Sequence, residues 1–337
     1  MSENKSRTGF AVKAKRFFSG IGLILLILIA LFVLFSVTSD SFMTSTGMYN
    51  LARATAINGI CALGMTCAII VGGIDLSIGS VAGLSSVIIA YMTSTQFWDT
   101  PILASEMWWV AALIAIAMGA ANGLLIGWLV NDGNLPPFIA SVGMQIVLRS
   151  ATQLLCRASN LGYISQAYKD FFSKDSDIFG IPLMAIVWVV IIIITYIILR
   201  HTRFGRNIYA VGSNAETARL NGISLRRTRC GTWMYSGILA AIAGILLGVR
   251  IGSGNPTAGK GFETDAIAAS VIGGASMSGG EGSVLGTVIG SIIIQTIRNG
   301  GNALAWNSFL LEIIVGVLII ACVLLDTINK KNSKKNS

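Results

Sequence analysis

The residues of this chain that could do chemistry are few, polar and set inside apolar sequence. Ser141, Gln145, Arg149 and Gln153 recur every four residues, so on a helix they stack as a slightly drifting stripe along one face. Arg149 stands near the middle of an apolar stretch, where a charge costs at least about 2.5 kcal/mol to insert and normally faces a cavity or an acidic partner. Asp75, Asp265 and Glu312 are the candidate partners. Together with Asn122, such groups can line a path for a polar molecule. They can equally tie helix to helix, at about 0.6 to 2 kcal/mol per contact. Asp75 follows Gly72 and Gly73 at an expected helix break and admits a further reading, as a proton or sodium site.

Catalytic chemistry has little to stand on. The only histidine is His201, and the five cysteines are scattered through apolar segments without a CxxC pair, so no metal site and no cofactor are expected. No cluster of His, Asp and Glu on facing helices points to a membrane-embedded enzyme. Gly254-Asn255-Pro256-Thr257-Ala258-Gly259-Lys260 imitates the first seven positions of a phosphate-binding loop, but Gly261 follows where Ser or Thr would hold magnesium, and no strand precedes it. ATP binding by this chain is not expected.

The elements that must position these residues are membrane helices. Of 337 residues only 12% are charged, against roughly 25% in soluble domains, and mean hydropathy is +0.74. At the ~20 residues needed to cross a bilayer, ten spans are expected: 20–37, 54–72, 77–93, 108–130, 138–157, 181–199, 231–249, 264–278, 283–298 and 309–326. The eighth and ninth are short and Gly-rich, the pattern of broken or re-entrant helices. The fold class is therefore all-α and polytopic, with an N-terminal tail at 1–19, a membrane domain at 20–326 and a C-terminal tail at 327–337. Lys13, Lys15 and Arg16 ahead of IGLILLILIALFVLF imitate a signal peptide, but no small-residue cleavage site follows. An uncleaved first helix is expected.

Net charge is +9, with 24 Lys and Arg. The positives lie between apolar runs and are topology signals rather than a nucleic-acid surface. Sixteen fall on one side of the expected spans, seven on the other, and Arg149 lies within one. The positive-inside rule puts both termini in the cytoplasm.

Two further patterns organise the chain. VGGIDLSIGSVAG at 71–83 resembles IGGASMSGGEGSVLG at 272–286 once three residues are inserted; such echoes mark internal repeats, although small-residue helices also resemble one another by chance. The cytoplasmic connection at 200–230 carries Ser213 or Asn214 as an N-cap, a short polar helix from about Ala215 to Asn221, and Gly222 as a left-handed stop. A capped helix between two spans is a handle that another protein can push.

In that loop Ala215-Glu216-Thr217-Ala218-Arg219-Leu220-Asn221-Gly222 resembles the coupling loop of ABC importer permeases, Glu-Ala-Ala followed by Gly, with Thr217 where the first Ala is usual. With TRFGRNIYAVGSNAETARLNGI around it, GGIDLSIGS at 72–80 and DAIAASVIGGASMSGGEGS at 265–283, roughly residues 20–326 resemble the permeases for ribose, galactose, xylose and arabinose. The resemblance implies a plasma-membrane homodimer among lipid, a cytoplasmic ATPase and an extracytoplasmic sugar-binding protein. It makes Glu216, Ala218 and Gly222 the coupling contacts, and it gives Asp75 a structural or gating role. For an uncharged sugar, Gln145, Gln153 and Asn122 supply the weak, multi-site hydrogen bonding that lets cargo leave again. An ion-coupled secondary transporter working without an ATPase is the competing function.

Overall fold

The computed structural model describes residues 21–94, 100–162, 164–173 and 180–335; the expected tail at 1–19 lies outside them. The described residues form thirteen helices. They are α1 (Ile21–Thr38), α2 (Ser45–Ile70), α3 (Ile78–Thr93), α4 (Trp108–Asn131, entered through a 3₁₀ turn at Ser105–Met107), α5 (Pro137–Leu155), α6 (Gln166–Phe171), α7 (Leu183–His201), α8 (Arg203–Ser213), α9 (Ala215–Leu220), α10 (Leu225–Ile251), α11 (Phe262–Ile272), α12 (Val284–Ala303) and α13 (Ser308–Lys335). Pairing between strands is limited, among these residues, to an isolated bridge of Leu161 with Gly254.

Each expected span meets a helix, and five helices among the described residues are long and apolar enough to cross a membrane. The ends differ where polar residues obscure them. Helix α2 starts nine residues before the expected 54, because Thr44 caps it through a hydrogen bond from the Gly47 N–H. The last helix runs on through 327–335, where a tail was expected. Helix α11 has 11 residues, about 16 Å at 1.5 Å per residue, roughly half of a ~30 Å hydrocarbon core. The eighth expected span is thus a half-helix.

Burial sorts the helices into layers. Nearly all of α2 is inside the protein, against about a fifth of α5 and a third of α7. The exposed faces of α7 and α13 carry Val189, Ile193, Phe309 and Ile313, side chains that lipid accepts without penalty. The centre is built from α2, α3, α10, α11 and α12, with α4 laid along α10. Lipid gives apolar helices no reason to associate, so close approach of small residues does that work. On α4, Gly119, Gly123 and Gly127 form a one-turn stripe against Gly237, Trp233 and Cys230 of α10; a Cβ at Gly127 would sit 2.6 Å from the Cys230 Cα. Hydroxyls tie the remaining centre together: Thr66 of α2 donates to Ser270 of α11 at 2.9 Å and shares a 2.6 Å bond with Thr287 of α12.

The echo between 71–83 and 272–286 is structural. Helix α2 ends with the Gly72 and Gly73 N–H groups donating to Ile69 and Ala68, and α11 ends with Gly274 and Ala275 donating to Val271 and Ser270. Both are the same paired capping arrangement. The register slips by one residue: the left-handed position falls on Gly72, first of its pair (φ +95°), and on Gly274, second of its pair (φ +87°). Each break then delivers the chain into another helix, α3 or α12.

Candidate functional site

Three groups of residues matter, and each reaches at least one of the two breaks. The first surrounds Asp75, fully buried between α2 and α3. Its carboxylate accepts from the Ser77 N–H at 3.0 Å, from Ser77 Oγ at 2.6 Å and from Ser236 Oγ of α10 at 2.8 Å. Asn122 of α4 donates to Ser77 Oγ at 3.0 Å. Asp75 and Asn122, picked out separately in the sequence, thus belong to one network that fastens the first break to α4 and α10. With the carboxylate facing hydroxyls and an amide N–H, the arrangement braces the chain turn.

The second group is the α5 stripe, and the structure resolves it residue by residue. Ser141 Oγ donates to the Ile74 carbonyl in the first break at 2.9 Å. Gln145 donates to Glu263 of α11 at 3.2 Å. Arg149 donates to the carbonyls of Pro256 (3.1 Å) and Ala258 (2.6 Å). Gln153 is exposed. The expectation that Asp75, Asp265 or Glu312 would partner Arg149 is corrected. Asp75 is held by Ser77 and Ser236, and Asp265 by Arg298 at 2.5 Å; Arg149 instead holds the loop that imitates a phosphate-binding motif. Backbone carbonyls can satisfy a guanidinium as well as a carboxylate does, and sequence spacing carries no sign of that choice. Sequence reasoning also passed over Glu263 and Arg298, because isolated charges in short Gly-rich segments carry no periodic signal.

The third group is the loop at 200–230. Helix α9 is capped by Asn214, whose Oδ1 accepts from the Thr217 N–H at 2.9 Å. It ends with the Gly222 and Ile223 N–H groups donating to Arg219 and Ala218, Gly222 having φ +81°. The sequence-derived cap, helix and stop are all present. Glu216 is exposed and paired with Arg219 at 2.6 Å; the hydrogen bond from that guanidinium, aided by its charge, holds the carboxyl below the ordinary carboxylate range. Ala218, by contrast, is buried, so it seats the helix instead of facing a partner. Leu220, unremarked in the sequence, is 75% exposed beside Glu216.

Helix α8 was also missed, although its signal is present: Phe204, Ile208 and Val211 recur at helical spacing opposite Arg203 and Arg206. Its end packs backbone against backbone with no room for a side chain. A Cβ on Gly212 would collide with the Ile70 carbonyl at the end of α2 and lie 2.7 Å from the Gly280 nitrogen. Gly280 N–H donates to that same Ile70 carbonyl at 2.8 Å. A Cβ on Gly279 (φ +81°) would meet the Gly212 carbonyl at 2.8 Å and the Gly72 Cα at 3.3 Å. Tyr209 Oη donates to the Gly282 carbonyl at 2.9 Å. The segment leading into α9 therefore rests directly on both breaks.

Comparison with known proteins places this architecture. Residues 47–323 match the family model described as branched-chain amino acid transport system / permease component. The ribose import permease protein of Escherichia coli (strain K12) is 35% identical over 335 residues, covering 95% of this chain and 98% of that protein. The ribose import permease protein of Bacillus subtilis (strain 168) is 37% identical over 299 residues, covering 89% and 90%, and the D-allose transport system permease protein of Escherichia coli (strain K12) is 34% identical over 308 residues, covering 91% of each. No solved structure matches. With a half-helix, paired breaks and a capped loop helix arranged around a buried centre, the chain is a multi-pass membrane permease and belongs to the family of branched-chain amino acid transport system / permease components, among whose members the sugar-import permeases are its relatives.

Proposed function

We propose that this chain is the translocation subunit of an ATP-driven importer for a monosaccharide, working as a homodimer with a cytoplasmic ATPase and an extracytoplasmic binding protein, in the inner membrane with both termini cytoplasmic. The observation that carries the reading is the contact of Gly212 with Ile70, Gly279 and Gly280. It joins the loop helix, where an ATPase would push, to the two helix breaks, where the path would open. A displacement of α9 cannot leave the breaks unmoved, because no side chain lies between the backbones to absorb it.

In this reading Glu216 and Leu220 meet the ATPase, Ala218 anchors α9 and Gly222 sets its end. Asp75, Asn122, Gln145 and Arg149 brace the walls of the path, and Gln153 faces lipid or the second copy. Relatives that import ribose and D-allose support the cargo class. The ion-coupled alternative draws on Asp75, but that carboxylate is occupied by two serines.

The test is uptake of labelled ribose, galactose and xylose by cells with and without this gene, each with and without the partner ATPase. Uptake that needs both this chain and ATP hydrolysis by the partner is expected. Uptake that persists without the ATPase and collapses with the ion gradient would replace this reading by the secondary transporter.

A further inference from the structure

A cavity of about 550 Å³ opens between α2, α11, α12 and α13, within the roughly 300–1000 Å³ typical of small-molecule sites. It reaches deep: Asn58, on its wall, is the fourteenth of the 26 residues of α2, near the middle of a spanning helix, where carriers place their substrate sites. Polar groups at that depth are costly and mark substrate paths. Among the described lining residues Arg250, Lys260 and Arg298 are balanced by Glu263, Asp265 and Glu312. Three cations against three anions leave no net field to select an anion or a cation.

The remaining polar lining is neutral and amide-rich: Asn58, Gln295, Asn299 and Asn302, with the Thr264 hydroxyl. Asn58 is 2% exposed and gives Nδ2 to Asp265 at 3.4 Å, while its Oδ1 and the Nε of Arg298 have no hydrogen-bond partner among the described residues. Asn58 and Arg298 bond the two carboxylate oxygens of Asp265, and the unpartnered acceptor and donor they leave match a hydroxyl, which both gives and accepts. A cavity with balanced charge and several amides, backed by apolar side chains such as Phe262 and Ile319 that can face the C–H edges of a ring, fits an uncharged polyol.

We propose that this cavity is a cargo subsite that binds an uncharged polyhydroxylated molecule of monosaccharide size, with Asn58, Gln295 and Asn302 as specificity-determining contacts; the inference rests on the permease reading above. Glu263 on the cavity wall is in turn held by Gln145 of α5, so the stripe on that helix positions the site.

The experiment measures initial uptake of labelled ribose and of its epimer arabinose in cells carrying the complete transporter. Wild type is compared with Asn58→Ala, Gln295→Ala and Asn302→Ala at equal membrane abundance and with one unchanged binding protein. Asn302 is exposed, so that variant keeps the test open even if the buried ones do not insert. Loss of one hydrogen bond should lower ribose uptake about 3- to 10-fold and shift the ribose-to-arabinose ratio by a similar factor, a change that a purely structural defect would not produce. Parental rates and ratios in inserted variants, Asn302→Ala included, would overturn the subsite while leaving the permease reading intact. A wild type that imports leucine and no monosaccharide would overturn both.

Discussion

Gly119, Gly123 and Gly127 sit inside helix α4 with ordinary helical backbone and let it lie against α10; Gly72, Gly212, Gly279 and Gly280 sit at or beside chain ends, most with positive φ, and bring three separate segments to one point. In the first region glycine removes bulk so that two long helices share a continuous seam, and many contacts back up each one. In the second, three backbones meet with a single shared carbonyl, that of Ile70. A seam of that kind is rigid because a shift anywhere must slide the whole helix. A meeting of chain ends is held by few groups and can change without unmaking the fold, which is what a joint requires.

The sharpest way to break the comparison is Gly123→Leu. A Cβ there collides with the Trp233 carbonyl, and overpacking against backbone costs at least the usual 1–3 kcal/mol or so. The variant should yield little or no monodisperse protein after extraction, read by size-exclusion chromatography; normal yield and thermal stability would show that the seam is not rigid.

Next in size is Gly212→Val. This glycine lies half-buried at the end of α8, outside the seam of α4 with α10, so the variant should insert and remain folded. Its side chain would wedge Ile70 from Gly280, and sugar uptake should fall at least about tenfold, a change of 1.4 kcal/mol in effective barrier. If insertion fails as it does for Gly123→Leu, the two glycine sets do the same job and the joint is an illusion. Parental uptake would remove the mechanical link altogether.

The smallest effect is expected at Gly222. Nothing lies within 4 Å of a Cβ there, so only φ +81° resists substitution. Gly222→Asn should keep most uptake, because Asn tolerates the left-handed region, whereas Gly222→Val should lose more, at about 1–2 kcal/mol for an ordinary residue. Equal outcomes for Asn and Val, in uptake and in protease resistance of the loop, would mean that the end of α9 is not what sets its position.

Much of the fold was legible because lipid imposes simple rules. Apolar length gave every span within a few residues where the flanks were charged or proline-bearing, as at α4, α5 and α7, and failed where polar residues begin a buried helix, as at Ser45–Tyr49 of α2. The α9 cap and stop could be read from Asn214 and Gly222 because capping is local chemistry between residues three to five apart. Helix α8 went unread although its period was there, since a hydropathy scan looks for uniform apolarity and passes over one-sided helices.

From residue order alone come the all-α membrane fold, the half-length of α11 foreshadowed by the glycines that flank it, the repeated break and the loop helix; each depends on neighbours in the chain and on the solvent. The partner of Arg149 was decided only by the tertiary structure, because carbonyls at 256 and 258 compete with carboxylates and only position chooses. So were the pairing of Asp265 with Arg298, the inward face of Ala218 and the union of Asp75 with Asn122 and Ser236. The meeting of Gly72, Gly212 and Gly279 spans more than two hundred residues of chain, and no local pattern encodes which glycine will face which backbone. That depends on how helices, each individually specified, stack once small residues let them approach.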